Sequence, residues 1–408
     1  MIFIKNLFVF YVFLLDFIKV LFDSIVVNVF ICEYKKEGIM KKIVVILFGG
    51  KSVEHDISII TATQAMKNLS CDFEKVPVYI DKQGTWWTGK NFEDAKVFER
   101  FEELALGKKE VSIKLGGNLL LILKGKKYVP YKKIDAVLNC CHGNVGEDGA
   151  VQGLFKVCNV AQTSPNVLSS SLCMDKVFMK YVLQANNILS PNFVVLKNGK
   201  SIDNEIRKVE ELRFPLIVKP SNLGSSIGIS VAKNKEELID AIGLAFKFDK
   251  KILCEEMVRN LREFNCACFV FKENLFVSSV NEVQNKSEIF SFEDKYLSDK
   301  ARSKKPDKKL EEEIKQLTKK VYELFECQGV VRVDFLYDQN EEKLYVNEIN
   351  TIPGSLSFYL YKEIKFSEIL SSIINQSEIN LNEESSLIKT FESDALKMFN
   401  LHQQKLKK

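Results

Sequence analysis

The stretch Val330–Ser357, VVRVDFLYDQNEEKLYVNEINTIPGSLS, carries the reading of the chain. Apolar and polar residues alternate from Val331 to Tyr337, so Val331, Val333 and Phe335 share one strand face and Arg332 and Asp334 the other. The polar run Asp338 to Glu342 reads as a turn, and alternation resumes from Leu344 to Asn350 with Glu348 and Asn350 on one face. Paired as an antiparallel hairpin, these runs have a register that sets Asp334 opposite Glu348 and Arg332 opposite Asn350. Facing carboxylates destabilise a sheet unless a positive charge lies between them, and an amide oxygen beside them suits a hard cation such as Mg²⁺. The plainer reading is a solvated face with ordinary surface charges. Thr351-Ile352-Pro353-Gly354-Ser355 shifts the balance, because a Pro-Gly bend at a strand end brings bare backbone N–H groups to whatever the cation holds. Such a loop stabilises a developing oxyanion, and the cluster reads as a metal-and-phosphate site.

The rest of the chain supports an α/β protein. Its 408 residues suffice for two or three domains, and 46% hydrophobic with 27% charged residues is ordinary for a soluble protein. A net charge of +4 argues for neither nucleic acid nor a membrane partner. Most of the ten cysteines lie in apolar runs without zinc-site spacing, and only three histidines accompany them, which predicts reduced thiols in a cytoplasmic protein. Residues 1–39 differ: they are apolar and Phe-rich, yet Lys5, Asp16, Lys19 and Asp23 interrupt them well short of a bilayer-spanning run. Lys35-Lys36-Glu37-Gly38 implies a purine-rich coding stretch just before the codon for Met40, like a bacterial ribosome-binding site. The expectation is a mis-assigned start, with an interfacial anchor as the alternative.

From Met40 onward, Ile43 to Phe48 reads as a buried strand ending in Gly49-Gly50, followed by a helix near Ile57 to Leu69 and a strand from Val76 to Ile80. A charged helix is expected near Asn91 to Leu106, with short β-like runs at Val111–Leu115 and Leu119–Leu123. The strand Ile134 to Cys141 ends in His142-Gly-Asn-Val-Gly146-Glu147-Asp148-Gly149, a turn of the kind that holds ligands at the C-terminal edge of an α/β sheet. One helix is expected from Ser169 to about Gln184 and contains Met174-Asp175-Lys176. Leu216 to Lys219 is an apolar strand ending in a lysine; it runs into the Gly/Ser-rich tip Ser221–Gly228 and a return strand, Ile229 to Ala232. That tip offers backbone N–H and hydroxyl donors to phosphate oxygens, although it lacks the Walker A pattern. A strand from Ile252 enters Glu255-Glu256, and an amphipathic helix from Leu310 to Leu324 leads into the hairpin.

In this order, Lys219-Pro-Ser-x-x-Gly-Ser-Ser226, a strand ending in Glu-Glu, Arg332-x-Asp334 and Asn347-Glu-Ile-Asn-Thr-Ile-Pro-Gly354 resemble the ATP-grasp superfamily. With Gly49-Gly50-Lys-Ser-x-Glu54, the His142–Gly149 turn, Met174-Asp175-Lys176 and Lys295-Tyr296-Leu-Ser298, the chain from about Met40 to Leu370 resembles the D-alanine–D-alanine ligase family. The resemblance implies a three-domain ATP-grasp architecture with a Rossmann-like N-terminal domain. The expected divisions are 40–165 for the substrate domain, 166–254 for the central ATP-grasp part, 255–375 for the C-terminal part with the metal site, and 376–408 for a polar tail. It implies ATP-dependent joining of two D-alanines through a D-alanyl phosphate for peptidoglycan precursors, with two Mg²⁺ ions (Mn²⁺ able to replace them) and a homodimer.

By similarity, Lys176, Lys219 and Lys295 meet ATP phosphates beneath Ser226 and its loop. Glu255 and Val258 meet the adenine and Glu263 the ribose. Asp334, Glu348 and Asn350 hold the metal, while Arg332 and the Gly354 N–H stabilise the tetrahedral intermediate. Glu54 takes the first ammonium and closes the site with Ser225 and Tyr296, and His142 lies near the first carboxylate. The sequence departs from the family where many relatives carry Thr-x-His-Ser after Pro-Gly. Ser355-Leu-Ser357-Phe358-Tyr359 stands there, so Ser357 or Tyr359 is left to meet the second carboxylate, and Glu256 stands where a lysine is common. The alternatives are a D-alanine–D-serine or D-alanine–D-lactate ligase and, more remotely, a non-catalytic ATP-binding protein.

Overall fold

The computed structural model describes residues 41–199, 202–283 and 306–406; residues 1–40, with the question of the start, and Lys295 and Tyr296 lie outside the described residues. Three sheets follow one another along the chain. The first contains β1 (Lys42–Gly49), β2 (Phe73–Ile80), β3 (Trp86–Thr88), β4 (Lys109–Ile113), β5 (Leu119–Lys124), β6 (Lys127–Lys133), β7 (Ala136–Asn139) and β8 (Ala161–Gln162). Their order is β6-β5-β4-β3-β2-β1-β7-β8, with β2, β1, β7 and β8 parallel and the remainder antiparallel. β1 is buried from Val44 onward because both its faces are covered, which explains why it reads as an unbroken apolar run.

The second sheet is antiparallel and joins β9 (Phe193–Lys197), β10 (Leu216–Pro220), β11 (Ser230–Ala232) and β12 (Lys251–Glu256) in the order β11-β10-β12-β9. The third joins β13 (Leu261–Phe271), β14 (Asn274–Val277), β15 (Asn281–Val283), β16 (Val331–Asp338) and β17 (Lys343–Asn350). In the β16–β17 hairpin Arg332 pairs with Asn350 and Asp334 with Glu348, the register that the alternation allows. A bulge follows Asp334, so Phe335 pairs with Val346 and the tip closes one residue out of step.

Several local expectations change. The helix expected over 91–106 is instead a 3₁₀ turn, Ala95–Phe98, and a single turn, Phe101–Leu104. Asn91 binds both the Leu104 carbonyl and the Leu106 N–H, and Phe98 and Phe101 turn inward on Tyr79, so side-chain bonds and aromatic packing override helical continuity. The helix expected over 169–184 is two, Val167–Met174 and Lys176–Ala185. Asp175 breaks it by adopting extended backbone and accepting from the N–H groups of Val177 and Phe178 as the cap of the second. The helix Phe366–Ser386 runs past the point where composition turns polar, because Ile369, Leu370, Ile373 and Ile374 share a core with Val44, Ile46 and Leu138 of the first sheet. A last helix, Ala395–Leu406, lies in what reads as a frayed tail. Among the described residues eight cysteines are free and buried. No helix among the described residues is long and apolar enough to cross a membrane.

Gly329 leads the chain into the hairpin with φ at +67°, and a Cβ there would lie 1.9 Å from the Thr163 carbonyl oxygen. Gly329→Ala combines a left-handed backbone with a clash against backbone that cannot yield. We expect it to destabilise the protein by about 3 kcal/mol or more. A thermal unfolding midpoint equal to that of the parent would contradict this.

Candidate active site

The hairpin supplies the floor of a cavity. Arg332 grips Asp334 through both ends of its guanidinium, Nε to Oδ1 at 2.7 Å and Nη2 to Oδ2 at 2.8 Å. Asn350 Nδ2 donates to Asp334 Oδ2 at 2.9 Å, which turns its amide oxygen the other way. Glu348 lies 3.4 Å from Lys176 Nζ, which also donates to the Leu223 carbonyl at 2.7 Å. Two carboxylates and one amide oxygen therefore share a face, and protein cations meet their charge. Among the described residues no three His, Cys, Asp or Glu side chains cluster as metal ligands, so a cation here would need the Asn350 amide as a third donor. This all-oxygen set fits a hard divalent ion.

The wall is built from two other sheets. Glu54 stands at the start of the helix His55–Asn68 and accepts from the Ser225 hydroxyl at the tip between β10 and β11. Its carboxylate is held between glycines of two separate loops. A Cβ on Gly143 would come within 2.7 Å of Oε2, and one on Gly224 within 2.8 Å. The same cavity is lined by Lys176, Arg332, Glu348 and Gly354, so residues far apart in the chain converge as the sequence reading grouped them.

Lys219 Nζ lies 2.7 Å from Glu255 Oε2, and Lys180 Nζ lies 3.0 Å from Oε1. All three side chains are buried. Burial works against the Glu255 charge, but the two lysines hold its carboxyl below the usual range. Burial also pushes Lys180 down to about 8, against the pull of Glu255. The carboxylate expected to meet an adenine thus already holds two cations. Val258 is buried nearby in sequence, and Glu263 sits on β13 opposite Leu336 and Val283. Glu256 turns to Arg213 and Asn192 instead of entering this group. Ser226 shares the left-handed backbone of Ser225 at the hairpin tip. Ser357 is fully buried and does not line the cavity, whereas the Tyr359 hydroxyl accepts from Arg332 Nη1 at 3.4 Å.

Three participants escaped the sequence reading. Lys180 is one, four residues along the helix from Lys176 and on the same face. Glu147, noticed only as part of a glycine-rich turn, is half-buried and accepts from Gly143 N at 2.7 Å and Ile352 N at 2.8 Å. Burial, reinforced by the Glu54 charge, raises its pKa well above the carboxylate range. The third is Thr61, whose hydroxyl is 2.8 Å from His142 Nε2.

His142 is buried, and burial lowers its pKa to about 4 from 6.5, although its hydrogen bond to the Ile352 backbone pulls the other way. The folded protein therefore binds fewer protons than the unfolded chain between these two values. Its neutral ring contributes stability that is present above pH ~6.5 and lost as pH falls toward 4, about 3 kcal/mol in all. Denaturant titrations should show His142→Gln losing less stability than the parent between pH 6.5 and 4; parallel losses would contradict this.

Comparison with known proteins agrees with this geometry. Residues 43–165 match the family model described as D-ala D-ala ligase N-terminus, and residues 182–375 match the one described as D-ala D-ala ligase C-terminus. The D-alanine–D-alanine ligase of Thermosipho melanesiensis is 38% identical over 342 residues, covering 81% of this chain and 92% of its own. That of Caldicellulosiruptor bescii is 37% identical over 362 residues, covering 85% and 97%. Among solved structures, the D-alanine-D-alanine ligase of Coxiella burnetii superposes with a TM-score of 0.73 at 25% identity, covering 90% of this chain and 99% of its own. The VanG D-Ala:D-Ser ligase of Enterococcus faecalis gives 0.72 at 27%, covering 83% and 100%. The family models account for both the glycine-bounded turn that holds Glu54 and the acidic hairpin beneath it, and the chain belongs to the D-alanine–D-alanine ligase family.

Proposed function

We propose that this chain uses ATP to convert one D-alanine carboxylate into an acyl phosphate, which the amine of a second D-alanine attacks to give D-alanyl-D-alanine and phosphate for peptidoglycan precursors. The observation that carries the reading is the single cavity in which Glu54, Lys176, Ser225, Arg332, Glu348, Asn350 and Gly354 meet. A phosphoryl transfer needs positioning and charge neutralisation, not a protein nucleophile, and these residues supply both.

In this reading Lys176, Lys219 and Lys295 neutralise the ATP phosphates under Ser226, while Glu255, Val258 and Glu263 receive the nucleoside. Asp334, Glu348 and Asn350 hold two Mg²⁺ (or Mn²⁺) ions, which supply charge neutralisation at the transferred phosphoryl group. Glu54 takes the ammonium of the first D-alanine and, with Ser225 and Tyr296, closes the wall against water that would hydrolyse the acyl phosphate. His142, being neutral, serves the first carboxylate by position and not by charge. Arg332 and the Gly354 N–H face the oxyanion of the tetrahedral intermediate. The enzyme works in the cytoplasm as a homodimer.

A second reading takes D-serine as the attacking amine, because Ser355-Leu356-Ser357-Phe358-Tyr359 stands where many relatives carry Thr-x-His-Ser and Tyr359 hydrogen-bonds Arg332. Competition settles the choice. With D-alanine, D-serine and D-lactate offered together, D-alanyl-D-alanine is expected to dominate; mainly D-alanyl-D-serine would replace the reading.

A further inference from the structure

Thr61 lies within the helix His55–Asn68 with no solvent exposure, and its hydroxyl joins that helix to the Pro353-Gly354 loop. The Ser355 N–H donates to Thr61 Oγ1 at 2.9 Å, and the same oxygen is 2.8 Å from His142 Nε2. The Ile352 backbone lies beside the His142 ring and favours a proton on it. Proton counting orders these bonds. A carbonyl only accepts, so the Ile352 backbone favours the neutral ring's single proton on Nδ1. Nε2 is then an acceptor, and the Thr61 O–H is its donor. Thr61 Oγ1 therefore links His142 to the Ser355 N–H and fixes the downstream side of Pro353-Gly354.

The loop needs such a brace. Ser355, Leu356 and Ser357 follow Gly354 with φ of 53°, 48° and 50°, a left-handed run that non-glycine residues avoid. Glu147 holds only the upstream side, taking the Ile352 N–H at 2.8 Å and the Thr351 hydroxyl at 3.3 Å. On the downstream side Leu356 N–H reaches back to the Pro353 carbonyl, a bond inside the loop itself. Thr61 ties that side to the first sheet's helix by a hydrogen bond, beside the apolar packing of Leu356.

We propose that Thr61 is a positioning residue for the ligation: anchored on His142, its hydroxyl holds the downstream flank of Pro353-Gly354, opposite the upstream hold of Glu147, and so presents the Gly354 N–H to the cavity in one orientation. This rests on the ligase reading of the cavity. Thr61→Val keeps the side-chain shape and removes both bonds, while Thr61→Ser keeps both. In the full-length protein Thr61→Val should lower kcat about 10- to 100-fold, the usual cost of a misplaced catalytic group, with KM for ATP within about twofold of the parent. Thr61→Ser should return kcat to within about threefold of the parent. Thr61→Ala leaves the same bonds unmade with less bulk, and the same loss of kcat is expected of it should the valine variant fail to fold.

The proposal is overturned if kcat for Thr61→Val stays within about twofold of the parent, or if serine fails to rescue. It is equally overturned if the loss falls on KM for ATP alone. A second measurement does not depend on activity. With three histidines in the chain, ¹⁵N spectra of the labelled parent protein should show His142 as the Nδ1–H form with Nε2 accepting. An Nε2–H form would reverse the Thr61 bond and sink the clamp, whether or not the parent makes dipeptide. A parent without ligase activity that shows the expected tautomer would instead count against the functional reading alone.

Discussion

Glu348→Gln is expected to lower kcat by about a thousandfold or more, roughly 4 kcal/mol of transition-state stabilisation. The substitution keeps size and shape, and its amide still accepts from Lys176, which lies 3.4 Å from the carboxylate. It removes one of only two negative charges in the hairpin's donor set, where the third donor is a neutral amide. Because Glu348 is partly exposed on a sheet face and not in the core, its replacement should leave the thermal midpoint nearly unchanged. Phosphate release measured across a Mg²⁺ titration checks this. Parent-like turnover at saturating Mg²⁺ would remove Glu348 from the metal site.

The second large effect is expected at Arg332, where lysine in its place should cost about a hundredfold in kcat. The charge is retained, so a loss of this size isolates the geometry. Arg332 meets both oxygens of Asp334 with two nitrogens of one planar group and gives a third to Tyr359. A lysine ammonium holds one carboxylate oxygen and leaves Asp334 free to turn toward the cavity. If lysine retained more than about a third of parental kcat, Arg332 would be acting only as a point charge and its oxyanion role would fall.

The hairpin was legible because period-two alternation fixes which residues share a face, and a short polar turn left little choice of register. That one element put Arg332, Asp334, Glu348 and Asn350 together before any fold was known. The parts that were not legible depend on tertiary neighbours. Thr61 is an ordinary helix residue until the Ser355 N–H and His142 arrive from segments far along the chain. Lys180 looks like a solvated helix lysine until β12 brings Glu255 against it. Asp175 reads as mid-helix because its capping role shows only in its backbone angles. β6 escapes the pattern because an edge strand of lysines carrying Pro130 resembles a loop; such residues guard a sheet edge against further pairing. Ser357 shows the reverse failure: the motif offered it to the substrate, and the left-handed run after Gly354 buries it.

The most direct test of the ligase function supplies the full-length protein with ATP, Mg²⁺ and either D-alanine, L-alanine or no amino acid, and follows phosphate and dipeptide together. Phosphate release is expected only with D-alanine, with one D-alanyl-D-alanine formed for each phosphate. Release that ignores D-alanine, or none at all from protein that still binds ATP, would contradict it.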